Sequence, residues 1–118
     1  MTTSVDWPAG LDAVAAAPDH HRVLLENAEV RVLDTRIGPG ERTPVHTHRW
    51  PAVHYVLAWS DFVRRDADGT ILLDTRAGGA AVAASALWGS PLGPHSLENV
   101  GGGPLHIISV ELKADADG

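Results

Sequence analysis

Short apolar–polar alternations, interrupted by Gly and Pro, run through this chain of 118 residues and predict strands rather than helices. Residues 22–26 and 30–37 read as two strands around the turn Asn27-Ala28-Glu29. In the second, Val30, Val32 and Asp34 face one way and Arg31, Leu33 and Thr35 the other. Gly38-Pro39-Gly40 is a turn by composition. Residues 53–59 form a third strand region, which 61–65 either continue or follow with a new strand. Asp66-Ala67-Asp68-Gly69 is a hairpin signal leading into 70–74. Gly78-Gly79 breaks the pattern, residues 80–88 are apolar with a period that does not separate helix from strand, and 105–112 make a last strand. Ahead of these, the Ala-rich residues 5–17 suit a short helix or an extended arm ended by Pro18. Many short strands with regular breaks mean an all-β sandwich or barrel. The predicted organisation is an N-terminal arm over 1–19, a barrel over 20–113 and a frayed polar tail over 114–118.

Composition narrows the function classes. A chain of this length builds one core, not two. Its apolar fraction of 44% suits a globular domain. No apolar run approaches the roughly 18 residues of a membrane span. Cysteine is absent, which excludes disulfides and thiolate metal sites. The net charge of −6, with basic residues scattered, argues against a nucleic-acid partner. The first residues carry neither the basic start nor the apolar segment of a secretory signal. The expectation is a cytoplasmic protein that handles small molecules, with no nucleic-acid and no membrane partner.

The chemistry concentrates in histidine. His46 and His48 close the stretch Gly40-Glu41-Arg42-Thr43-Pro44-Val45-His46-Thr47-His48, and on a strand residues two apart share a face. Pro91-Leu92-Gly93-Pro94-His95-Ser96-Leu97-Glu98-Asn99 brings a third imidazole. Three imidazoles from neighbouring strands would hold a divalent transition metal and leave coordination positions open.

On these residues the chain resembles the small single-domain cupins of the RmlC-like superfamily (cupin 2 type, conserved barrel), over residues 20–113. That family's first motif is Gly, five residues, His-x-His, three or four residues, Glu, six residues, Gly. Gly40, His46 and His48 match its first half. Its second motif is Pro-x-Gly, a short gap, His, three residues, Asn. Pro91, Gly93, His95 and Asn99 match it, with a gap one residue shorter than usual. The resemblance implies a double-stranded β-helix, a jelly-roll relative, with the site inside the barrel. Gly93 and Pro94 would shape the turn before His95, and Asn99 would satisfy a backbone turn.

Where the motif expects its glutamate this chain has Ala52 and Val53, and Trp59 or Ser60 replaces the closing glycine. A site of neutral imidazoles leaves the ion's charge uncompensated and favours anionic ligands. His54, just past the missing glutamate, is a candidate fourth ligand; Pro51 interrupts the strand, so its parity stays open. His106 raises the same question, with a polar residue on a strand face as the plainer reading. His20 and His21 fall in a Pro-led loop and read as solvated. Trp50 and Trp88 flank the two motifs and are candidates for the pocket mouth. Tyr55 is a candidate general acid or hydrogen-bond donor. Arg49, beside His48, is a candidate for holding a substrate carboxylate. Arg36, Arg42, Arg64, Arg65 and Arg76 read as a solvated face.

Three-histidine members of the family are iron-dependent dioxygenases acting on thiols or diketones. The resemblance therefore implies iron ahead of zinc, nickel or manganese, and oxygen chemistry on an anionic or chelating substrate. A non-catalytic metabolite-binding barrel and a metal-dependent isomerase or lyase are the alternatives. Small members are usually dimers, and the N-terminal arm could cross to a partner.

Overall fold

The computed structural model describes residues 7–78 and 85–113. Nine strands are described: β1 (His21–Glu26), β2 (Val30–Ile37), β3 (His46–His48), β4 (Ala52–Ala58), β5 (Phe62–Asp66), β6 (Ile71–Asp74), β7 (Ala86–Gly89), β8 (Leu92–Asn99) and β9 (Leu105–Leu112). They form a five-stranded sheet in the order β1-β2-β9-β4-β7 and a four-stranded sheet in the order β3-β8-β5-β6, every pairing antiparallel. Side chains of both sheets line one internal cavity, so the sheets close over each other as the two walls of a barrel. Helix is confined to single turns, including α1 (Ala13–Ala16) and α2 (Thr75–Gly78), and among the described residues no helix is long and apolar enough to cross a membrane.

Local sequence explains the boundaries. Residues 61–65 do not continue the third strand: Phe62–Asp66 leaves for the other sheet and pairs with β8 and β6. The hairpin turn after it closes on Gly69, at φ +89°, where any side chain would be strained. Asp66 fastens that turn by accepting hydrogen bonds from the Asp68 and Thr70 amides. Gly93 and Pro94 form no turn before His95, because both lie inside β8. Of the ambiguous apolar segment, 79–84 lie outside the described residues and the rest begins β7.

The N-terminal segment is docked on the barrel wall. Asp12 accepts a hydrogen bond from the Val14 amide and caps α1. It also bridges in parallel to Thr47 on β3, and Ala13 and Ala17 are completely buried. This contact places the start of β1, and therefore His21, against the histidine strand.

Alternation sets which side chains reach the interior. On β2 Arg31, Leu33, Thr35 and Ile37 turn inward, and on β9 Leu105, Ile107, Ser109 and Glu111 do. On β4 Ala52, His54, Val56 and Ala58 turn inward, leaving Val53, Tyr55 and Leu57 exposed. One end of the interior is an apolar cluster of Ile37, Phe62 and Leu105, with Trp59, Leu97 and Ile107 against it. Asn99 locks this end. Its amide nitrogen donates to the Ile37 and Gly103 carbonyls, and its amide oxygen accepts from Ser60 Oγ and the Gly101 amide. Every hydrogen-bonding position of that buried side chain is used.

Candidate metal centre

The other end of the interior is built from histidine. In the β3–β8 pairing His46 stands directly opposite His95, and their ring centroids are 4.4 Å apart. His48, on the same face of β3, lies 5.0 Å from His46 and 5.5 Å from His95. The rings of these three motif histidines lie side by side. A fourth ring joins them. His21 starts β1, is 4% exposed, and lies 4.8 Å from His46 and 5.3 Å from His48. It is neither in a loop nor solvated. One ring nitrogen from each of His21, His46 and His48 lies within 4.8 Å of the others, a spacing that admits a shared ion.

The hydrogen bonds fix how each ring is presented. The Nδ1–H groups of His21, His46 and His95 donate to the carbonyls of Ala17, Pro44 and Gly93 at 3.0, 2.8 and 2.7 Å. A carbonyl can only accept, so these nitrogens carry the hydrogen and the Nε2 atoms carry the lone pair. Nδ1 of His48 faces Glu111 Oε2 at 3.2 Å. A metal-binding imidazole has this arrangement, with one nitrogen anchored to the protein and the other available. Burial holds the four rings neutral. It pushes His21, His48 and His95 down to about 3, each helped by neighbouring imidazoles, and it also lowers His46. Neutral imidazole is the ligating form, so the donor set fits a divalent transition metal.

Behind His48 stands a buried ionic chain. Glu111 Oε1 accepts from Arg31 Nε at 2.6 Å, and the far side of the guanidinium grips Asp12 bidentately at 2.8 and 2.9 Å. Burial pushes the Glu111 carboxyl up, against the pull of Arg31; at Asp12 the arginine prevails and its carboxyl is lowered. Ala52, at the place where the resemblance expects a carboxylate, is the cross-strand neighbour of Glu111. A carboxylate therefore stands one strand away from that place, against the His48 ring.

His54 points inward but does not join the four rings. Its Nδ1 is 2.7 Å from Ser109 Oγ, and its Nε2 packs so closely on Gly89 that a β-carbon there would lie 2.3 Å from it. Tyr55 is on the opposite face of β4 and 49% exposed, so strand parity removes it from the site. Trp50 does not wall the pocket: Arg31, Arg49 and Lys113 lie over its ring at 5.0, 5.3 and 5.4 Å. Arg49 is held there and lines none of the described cavities. Trp88 does line the outer cavity, at its rim. His106 faces outward and pairs with Asp34 at 2.7 Å.

An inner chamber of about 140 Å³ is lined by His21, His46, His48, His54 and His95, with apolar walls from both sheets. It shares His54, Trp59, Phe62, Arg64, Leu87 and Leu92 with an outer cavity of about 500 Å³. A small molecule entering from outside would meet those residues before His21, His46, His48 and His95.

Sequence comparisons give no match: no family profile fits the chain, and no curated protein matches it. Comparison of folds does. The structure is similar to a cupin domain from Bordetella pertussis Tohama I, with 20% identity, a TM-score of 0.59 and coverage of 80% of this chain and 92% of that one. It is similar to an RmlC-like cupin family protein with a double-stranded β-helix fold from Methanocaldococcus jannaschii, at 11% identity, TM-score 0.55, and 78% and 77% coverage. The polyketide cyclase RemF from Streptomyces resistomycificus is similar at 20% identity and TM-score 0.51, over 80% of this chain and 64% of that one. With its two antiparallel sheets closing over a histidine-lined cavity, the chain has the cupin fold, a double-stranded β-helix.

Proposed function

We propose that this protein is a divalent-metal enzyme for a small organic molecule, with His21, His46, His48 and His95 as ligands, iron as the metal and dioxygenation as the reaction. One observation carries the reading: four imidazoles anchored through Nδ1 line one cavity, and ring nitrogens of three of them, His21, His46 and His48, lie within 4.8 Å of one another. Zinc and nickel suit the same donors, whereas manganese favours oxygen ligands that this set lacks. When bound, the ion supplies Lewis-acid polarisation or, as iron, electron transfer between substrate and dioxygen.

The protein's own residues do the rest. Glu111 holds the His48 ring in the ligating tautomer, and Arg31 and Asp12 keep that carboxylate in place. Val56, Leu92, Leu97 and Ile107 give the inner chamber apolar walls. His54 lies outside the ligand set, lines both cavities and is lowered by burial, so at neutral pH it is a free base able to take a substrate proton. That base favours one second reading, a metal-dependent proton transfer or cyclisation without oxygen; one protein of similar fold is named a polyketide cyclase.

Turnover with and without dioxygen separates the two. Under the dioxygenase reading, protein purified without added metal contains iron and consumes one oxygen per substrate, and strict anaerobiosis stops it. Turnover that continues anaerobically would overturn that reaction in favour of Lewis-acid chemistry. The exposed outer face of β4, with Val53, Tyr55 and Leu57, is where a second copy would pack in a homodimer. Val53→Lys should then halve the mass in solution.

A further inference from the structure

Among the described residues, Arg64 has no acid to hold it. It lies on β5, turned inward with Phe62, opposite Leu97 of β8. It lines the inner chamber and the outer cavity at once. Its Nε is buried without a hydrogen-bond partner, and its one described contact is the Phe62 ring, 5.6 Å from the guanidinium carbon. The neighbouring arginines differ. Arg31 is gripped by Asp12 and Glu111, Arg65 by Glu98 at 2.8 Å, and Arg76 by Asp74 at 3.0 Å. Among the described residues no carboxylate lines the inner chamber, and Asp74, the one acid lining the outer cavity, uses both its oxygens on Arg76.

A guanidinium stays charged in proteins, and burying it unpaired is unfavourable unless an anion completes it. Burial alone pushes Arg64 down, with no acid in place to raise it again. The walls around it, Trp59, Phe62, Leu87 and Leu92, are apolar. A ligand that satisfies both features has an aromatic or branched body and one carboxylate.

We infer that Arg64 is the anchor for a substrate carboxylate, received bidentately at the junction of the two cavities, with the apolar body of the substrate lying along Trp59 and Leu87 and its reacting end toward the histidines. The orientation toward the histidines rests on the metal-enzyme reading; the anchoring of the carboxylate does not. This arginine takes the role that the sequence reading gave to Arg49. Bidentate pairing makes it selective for a flat carboxylate, because the fork of the guanidinium matches that geometry.

The probes are 3-phenylpropionate, its primary amide and phenyl phosphate, with binding followed by calorimetry and metal content measured on the same samples. Wild-type protein should bind the carboxylate at least tenfold more tightly than the amide and more tightly than the phosphate. Arg64→Gln should lose that preference at unchanged metal content, and Arg64→Lys should recover part of it. Where the glutamine variant does not fold, titrating the carboxylate into wild-type protein with ¹⁵N-labelled arginine should shift one buried Nε–H resonance. Equal affinity for acid and amide, tighter phosphate binding, or a carboxylate complex that leaves every arginine Nε–H unmoved would overturn the assignment. Carboxylate preference through Arg64 in protein that holds no metal would leave this assignment standing and remove the metal reading instead.

Discussion

β2 and β9 run side by side from one end of the barrel interior to the other, and the two ends have opposite chemistry. At one end Ile37 pairs with Leu105, both buried, beside Phe62 and Trp59. At the other, six residues and about 20 Å along the strands, Arg31 pairs with Glu111, with Asp12 and His48 held against them. The face is the same and the side chains are inverted. Apolar packing stabilises the first end whatever the fine arrangement of its neighbours. At the second, each group is tolerable only in the presence of the others, since a buried charge or imidazole without its partner is costly. Stability is drawn from the first end and chemistry from the second.

Acid should act most strongly on the histidines, and hardly at all on the apolar end. An unfolded chain protonates its histidines below about pH 6.5, while in the fold His21, His48 and His95 hold out to about 3. The unfolded state therefore binds more protons between those limits. Stability is fullest above pH 6.5 and falls as pH drops, by up to about 1.4 kcal/mol per pH unit for each such group. Urea unfolding of chelator-treated protein at pH 7 and pH 5 measures it. His95→Gln should flatten the slope, and equal stability at both values would contradict the neutral cluster.

Leu105→Ala, at the apolar end, should cost about 2–5 kcal/mol and leave the metal affinity of the folded fraction unchanged. Glu111→Gln, at the polar end, should do the reverse in emphasis. It should cost about 1–3 kcal/mol for the weakened buried partner, together with a loss of about 10–100-fold in metal affinity. Equal effects of both on metal binding would mean that the two ends are not separable. Gly89→Ala should have the smallest effect on stability, about 1 kcal/mol, because its new methyl displaces the His54 ring and little else. Its mark should be lost proton transfer at full metal content, read as a changed pH–rate profile.

The strands, the histidine pair and His95 were legible because period-2 alternation and spacing are local properties of a chain. Residues brought in from elsewhere were harder to read. His21 was hidden by Pro18, which reads as a loop signal, although extending the first strand back by one residue puts His21 on the face of Val23. Glu111 had a signal too. It ends an inward row through Leu105, Ile107 and Ser109, where a charge is unexpected. Tyr55 and His54 are adjacent on one strand, so both could not face the cavity, and the pleat selects His54. For Arg64, sequence gives parity with Phe62 but not the absence of an acid opposite, which depends on β8 and on the turn carrying Asp74.

The proposed metal centre consists of His21, His46, His48 and His95, with His54 outside it. The direct test is metal stoichiometry and affinity, by mass spectrometry and competition titration, for wild-type protein and the single variants His21→Gln, His46→Gln, His48→Gln, His95→Gln and His54→Gln. One ion per chain, at least tenfold weaker binding in each of the first four variants and unchanged binding in His54→Gln is the predicted result. Wild-type affinity in His21→Gln, or a wild-type protein that takes up no divalent ion, would contradict it.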